Sequence, residues 1–170
     1  LNYAVLKESL LRTVRVTAMI LLIIVGGNMF AGVFTGAGGM MIIQDLLGGG
    51  EMSPQLVLAL ILAVTFIAGF MLDWISIILI IIPIAMPLVT GFGFDPIWFC
   101  VLFLIVIQTS YLTPPLAPAI FYLKGIAPPE IQLSDMFRGV IPFILLHFVV
   151  LALVLMFPGT VTVLTLSLMG

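Results

Sequence analysis

Between Pro54 and Gly91 lie 36 residues, of which one, Asp73, is charged. As a single straight helix they would extend roughly 54 Å, against a bilayer hydrocarbon core of about 30 Å. Two complete crossings would take about 40 residues plus a turn. The length predicts a re-entrant hairpin over residues 55–90: one arm from Gln55 to about Met71, a turn at Leu72-Asp73-Trp74, and a return from Ile75 to about Thr90. Each arm would be roughly 25 Å long, so the tip stops short of the far face. The alternative is one over-long, tilted helix.

A membrane is the right solvent for such a chain, because 64% of its 170 residues are hydrophobic and 7% are charged, outside the range of globular domains. Val16–Thr35 and Val140–Phe157 are charge-free runs of 20 and 18 residues, each long enough to cross as a helix. The expected class is an all-α integral membrane protein, with transmembrane helices, the re-entrant helical hairpin and a proline-broken helix. The expected order is a cytoplasmic amphipathic lead-in (1–15), a transmembrane helix (16–36), a periplasmic interfacial loop (37–54), the hairpin (55–90) and a discontinuous transmembrane helix (96–126). A cytoplasmic loop (127–139), a last transmembrane helix (140–158) and a tail (159–170) follow. The chain opens on Leu1 without a signal-peptide pattern and reads as a piece of a longer protein.

Charge placement supports the hairpin independently. If the 36-residue run enters and returns, Lys124 and Arg138 fall on the side of Lys7, Arg12 and Arg15, while Asp45, Glu51 and Asp95 fall on the other. That is the positive-inside distribution. The net charge of −2 forms no basic stripe, which excludes a nucleic-acid partner, and the lone Cys100 excludes an internal disulfide or a cysteine-rich metal site.

The second constraint is the segment QTSYLTPPLAPAIFYLKG at 108–125. Pro114, Pro115 and Pro118 remove three amide donors and disfavour helix in the residues before them. An unwound stretch at membrane depth is tolerated where protein buries it or a water-filled cavity receives it. Gln108, Thr109, Ser110 and Thr113 add side-chain oxygens there, with Thr109 and Thr113 on one helical face. Carbonyls at a half-helix C-terminus suit Na+, and amides at the next half-helix N-terminus suit an anion. The plainer reading is a proline-kinked helix whose hydroxyls bond back to their own carbonyls.

A carboxylate at membrane depth costs about 2.5–3.5 kcal/mol on insertion scales, so Asp73 needs a reason to be there. The hairpin tip would bring Asp73, Ser76 and the chain around Gly69 to the depth of the second break, the pattern of a secondary transporter's central site. An Asp capping the return helix beside water is the other reading. Trp74 and Trp98 read as packing or interfacial aromatics, Gly26, Gly27, Asn28 and Gly32 as a close helix contact, and His147 as a bundle-facing hydrogen bond.

Taken together, GFMLDWISIILIIIPIAMPLV, GFDPIWF, QTSYLTPPLAPAIFYLKGIAPP and SDMFRGVIPF resemble the large membrane subunit of TRAP transporters, the DctM family, over almost the whole chain. The likeness is greatest to the branch for dicarboxylates and related organic acids. The resemblance implies a multi-pass protein of the bacterial inner membrane and an elevator-type transporter driven by a Na+ gradient, with Na+ as coupling ion and no other cofactor. It implies a periplasmic substrate-binding protein and a small membrane subunit of DctQ type, separate or fused, as partners. The family's large subunit has two inverted repeats, and this chain matches the second, so the first half is missing; a C-terminal fragment or a split gene product is implied. By the same resemblance, Gly69, Asp73 and Ser76 at the tip and Thr113, Pro114 and Pro115 at the break form one Na+ site and one wall of the substrate cavity, with Gly69, Asp73, Thr113 and Pro114 as Na+ candidates. The family often reads TPP-x-Gly, whereas Ala117 stands at that glycine position here and Pro118 follows.

Enzyme readings fail on partners: aspartyl chemistry needs a second carboxylate, and no other Asp or Glu lies inside a span. The remaining rival is a structural membrane subunit whose polar breaks bind nothing. The hairpin makes a direct topological prediction. Cysteines placed near Glu51 and near Asp95, in a Cys100→Ala background, will be labelled from the same, periplasmic face; labelling from opposite faces would remove the hairpin.

Overall fold

The computed structural model describes residues 2–46, 52–114 and 116–163, all helices and short connections. Seven helices follow in order: α1 Tyr3–Gly36, α2 Gly39–Leu46, α3 Pro54–Met71, α4 Trp74–Gly91, α5 Pro96–Leu112, α6 Pro118–Ile126 and α7 Leu133–Met156. Three of them, α3, α5 and α6, begin at a proline, whose missing amide is one that no helix could satisfy at that position.

Helix α1 differs from the expected division at residue 16, because lead-in and span form one unbroken helix of 34 residues. Nothing between Lys7 and Arg15 breaks a helix, and Glu8 and Arg12, one turn apart, form an ion pair at 2.7 Å. At about 51 Å this helix exceeds the core thickness, so its charged first turns extend beyond the hydrocarbon. The 37–54 connection likewise contains a helix, α2; Glu51, placed in it by the sequence, lies outside the described residues. Helix α7 starts at Leu133, seven residues before the expected span, because Gln132 and Asp135 form a capping box that starts the helix there. Of the 159–170 tail, residues 164–170 lie outside the described residues.

Where one long helix was the alternative, the chain turns at Leu72 and Asp73, both extended, and α4 packs back on α3. Gln55 and Leu58 at the start of α3 share a recess with Phe94 and Trp98, just past the end of α4, so the two arms run antiparallel. Helix α5 runs parallel to α3, since Trp98 sits by Leu58 at one end and Ser110 meets Gly69 at the other. Helix α7 returns along α5, anchored where the buried Trp98 indole donates to the Val154 carbonyl at 2.8 Å.

Helix α5 is therefore the central element. Phe99, Leu102, Phe103, Val106 and Ile107 are all buried between the hairpin and α7, with Leu62, Ile77 and Val89 completing the cluster. Helix α1 lies outside it and touches α4. Of the small residues in α1, Gly27 makes the close approach: a Cβ there would stand 2.6 Å from the Leu79 Cβ, while Gly26 and Gly32 face open space. Asn28, grouped with them in the sequence, bonds its amide nitrogen to the Ile24 carbonyl at 2.9 Å.

Candidate functional site

Helices α3 and α5 end side by side, where Gly69 meets Ser110. Helix α5 stops at Leu112 because Pro114 and Pro115 carry no amide hydrogen, and Thr113 before them adopts the extended conformation (φ −85°, ψ 131°) that a following proline imposes. Pro115 itself lies outside the described residues. Prolines at 114, 115 and 118 withhold the amides that would bond the carbonyls of Ser110, Tyr111 and Pro114. The Thr113 amide meets the Ser110 carbonyl at 3.2 Å, which leaves those of Tyr111 and Pro114 without a helical donor.

The chain re-enters a helix through Ala117, the one non-glycine residue with positive φ among the described residues (φ 32°, ψ 64°). A left-handed backbone costs a residue with a Cβ about 1–2 kcal/mol. Burial holds it: Ala117 is fully enclosed with Ile120 and Met136, and its carbonyl accepts the Ile120 amide at 2.9 Å. Alanine thus holds a backbone conformation that glycine adopts more easily, and from it the chain turns into α6.

At the hairpin tip, Asp73 caps α4. One carboxylate oxygen accepts the Ile75 amide at 3.0 Å, and the Asp73 carbonyl accepts the Ile77 amide at 3.0 Å. The other carboxylate oxygen faces the Tyr111 hydroxyl at 3.4 Å, and that same hydroxyl oxygen accepts the Trp74 amide at 3.1 Å. Asp73 both caps α4 and lies beside the last turn before the second break, two readings that the sequence left compatible.

The tip and the break are in direct contact one turn deeper. Gly69 is buried against Ser110: a Cβ at residue 69 would overlap the Ser110 Oγ and stand 2.7 Å from its Cβ. Helices α3 and α5 therefore reach the same level with their C-terminal ends together, and their last carbonyls give that level a concentration of partial negative charge.

The remaining polar residues divide. The hydroxyls of Thr109, Ser110 and Thr113 donate to the carbonyls of Ile105, Ile107 and Thr109 at 2.7, 2.8 and 2.7 Å. This is the back-bonding of the plainer reading, in a helix that nonetheless breaks, and each oxygen retains lone pairs. Thr109 turns away from the tip into an apolar recess with Phe66 and Phe148. Gln108 is exposed on a groove of about 480 Å³ that it shares with Trp74, Tyr111 and His147. His147 hydrogen-bonds within its own helix, to the Phe143 carbonyl at 2.9 Å. Ser76 is half-buried in the first turn of α4 and makes no side-chain hydrogen bond among the described residues. Tyr111, which joins the two breaks, was not among the sequence candidates; the signal was its place in the last turn before the prolines.

Among the described residues no three His, Cys, Asp or Glu side chains gather, so the donors on offer at the tip are carbonyl and hydroxyl oxygens and one carboxylate. That set suits a hard cation. The geometry makes a packing prediction. Gly69→Ala will lower thermal stability in detergent by about 1–3 kcal/mol, and adding Ser110→Gly will recover at least half of the loss. No recovery would mean that the two residues are not in contact.

A family profile described as "Tripartite ATP-independent periplasmic transporter, DctM component" matches residues 1–160. The chain is 29% identical to the large permease protein of the 2,3-diketo-L-gulonate TRAP transporter of Escherichia coli, over 95% of this chain and 37% of that one. It is 27% identical to the sialic acid TRAP transporter large permease protein of Vibrio cholerae, over 89% of this chain and 35% of the relative. With the ectoine TRAP transporter large permease protein of Halomonas elongata the identity is 29%, over 92% and 35%. The chain spans little more than a third of the length of each of these relatives. No solved structure matches it.

Proposed function

Because the chain belongs to the DctM component family of tripartite ATP-independent periplasmic transporters, we propose that it forms the C-terminal half of a large permease subunit that carries organic acids inward on a Na+ gradient. It is an integral inner-membrane protein and a transporter component rather than an enzyme. Its proposed partners are a periplasmic binding protein that delivers the substrate, a small membrane subunit, and the preceding half of the large subunit, which supplies the other wall of the cavity.

One observation carries the ion site. Helices α3 and α5 point their C-terminal ends at the same place, with Gly69 against Ser110. Two aligned negative ends repel each other, and a cation between them relieves the repulsion. The carbonyls of Tyr111 and Pro114, lacking helical donors, and those of the last turn of α3 around Gly69 are the proposed ligands, with the Thr113 hydroxyl and the Asp73 carboxylate beside them. In this reading Pro114 and Pro115 keep the carbonyls free. Gly69 lets the hairpin approach, and Ser76 and Gln108 border the substrate side. Thr109 and Ser110 support the site by packing.

For the substrate, the dicarboxylate or keto-acid class is proposed. The relatives named for diketogulonate and sialic acid agree with an acid, and the relative named for ectoine shows that the family extends further.

The test uses the complete permease with both halves and the small subunit. Na+ is expected to raise its melting temperature, and K+ at equal ionic strength is not. Replacing Pro114 and Pro115 together by alanine returns the carbonyls to helical bonds and is expected to weaken apparent Na+ affinity about tenfold, or about 1.4 kcal/mol. An equal Na+ response in both proteins would remove the ion site. No response in either would favour a structural subunit.

A further inference from the structure

The hairpin tip is thinly held on its α4 side. Met71 is 83% exposed and Trp74 51%, and Leu72 and Asp73 are exposed as well, so little packing fixes this turn. Among the described residues, the side-chain hydrogen bonds that tie it to another segment both end on one atom, the Tyr111 hydroxyl oxygen. That oxygen accepts the Trp74 amide at 3.1 Å and shares its proton with the Asp73 carboxylate at 3.4 Å.

The Trp74 amide is the first of α4, and the helix offers it no acceptor; Asp73 already serves the next amide, that of Ile75. A phenol 37 residues away in sequence completes the cap. Losing it would leave the first amide of α4 without its acceptor and free the carboxylate oxygen at an exposed turn, one helical turn from the buried contact of Gly69 with Ser110. With so little packing at the turn, these two bonds are what ties it to the end of α5.

We propose that Tyr111 is a positioning residue that clasps the hairpin tip to the end of α5 and sets how often the tip lifts. The clasp concerns the opening of the tip and is independent of whether an ion binds there, so its test does not rely on transport. Breaking it requires the removal of one oxygen atom, which Tyr111→Phe does while keeping the ring that lines the groove with Trp74 and Gln108.

Ser110 reports the opening, because it is fully buried beneath Gly69 and a cysteine is close to it in size. In the full chain in lipid nanodiscs, with Cys100→Ala and Ser110→Cys, the rate of modification by a small methanethiosulfonate reagent reads the fraction of time the tip is lifted. Tyr111→Phe is expected to raise that rate about tenfold, the equivalent of one or two net hydrogen bonds. Asp73→Asn keeps the Trp74 bond and is expected to raise it less. A cysteine at Leu102, buried mid-helix in α5, controls for general loosening and should be unaffected. An unchanged rate at Ser110→Cys, or an equal rise at Leu102→Cys, would overturn the clasp.

Discussion

In hydrocarbon, a backbone amide or carbonyl that leaves a helix must find a partner within the protein or face a water-filled cavity. This chain leaves its helices at Leu72–Asp73 and again after Leu112, and the end of the second helix supplies a partner to the first departure. The amide released at the start of α4 bonds to a side chain at the end of α5, and the end of α5 lies against the last turn of α3. What stays unmatched is mainly carbonyl oxygen, so the residual polarity favours a cation.

The apolar packing serves this arrangement by aligning the helices lengthwise. Trp98, fixed to the Val154 carbonyl at one end of α5, sets the register of α5 against α7. The buried row from Phe99 to Ile107 then carries that register to the tip, where Ser110 meets Gly69 without room for a Cβ. A slip of one helical turn, about 5.4 Å, would part both contacts. The left-handed Ala117 belongs to the same scheme: buried by α6 and α7, it turns the chain sharply enough for α6 to start directly after the break.

Much of this was legible in the residues. The length of the 54–91 run pointed to a turn over one over-long helix, the lone charge at Asp73 marked its place, and three prolines with their missing amides marked the second break. The division of the QTSYLT polar residues was less accessible. Listed in a row they look like one cluster, yet a helix sends Gln108 to the groove, Thr109 to an apolar recess and Ser110 to Gly69, and which face meets the hairpin depends on tertiary packing. The continuity of α1 was hidden because charge suggested a boundary at residue 16, whereas helix propensity ignores where the bilayer ends. Tyr111 escaped notice because a tyrosine in an apolar run reads as an aromatic anchor until its hydroxyl is seen to have partners.

The central claim is that the two breaks meet. It is tested most directly by oxidative cross-linking of cysteines placed at positions 69 and 110 in native membranes, with Cys100→Ala. A Cβ at 69 would lie closer to that of Ser110 than the roughly 3.5–4.5 Å of a disulfide, so a small local yield brings the sulfurs together. The account predicts prompt, near-complete disulfide formation within one chain under mild oxidation. Two cysteines that both react with a thiol reagent yet fail to join would contradict it.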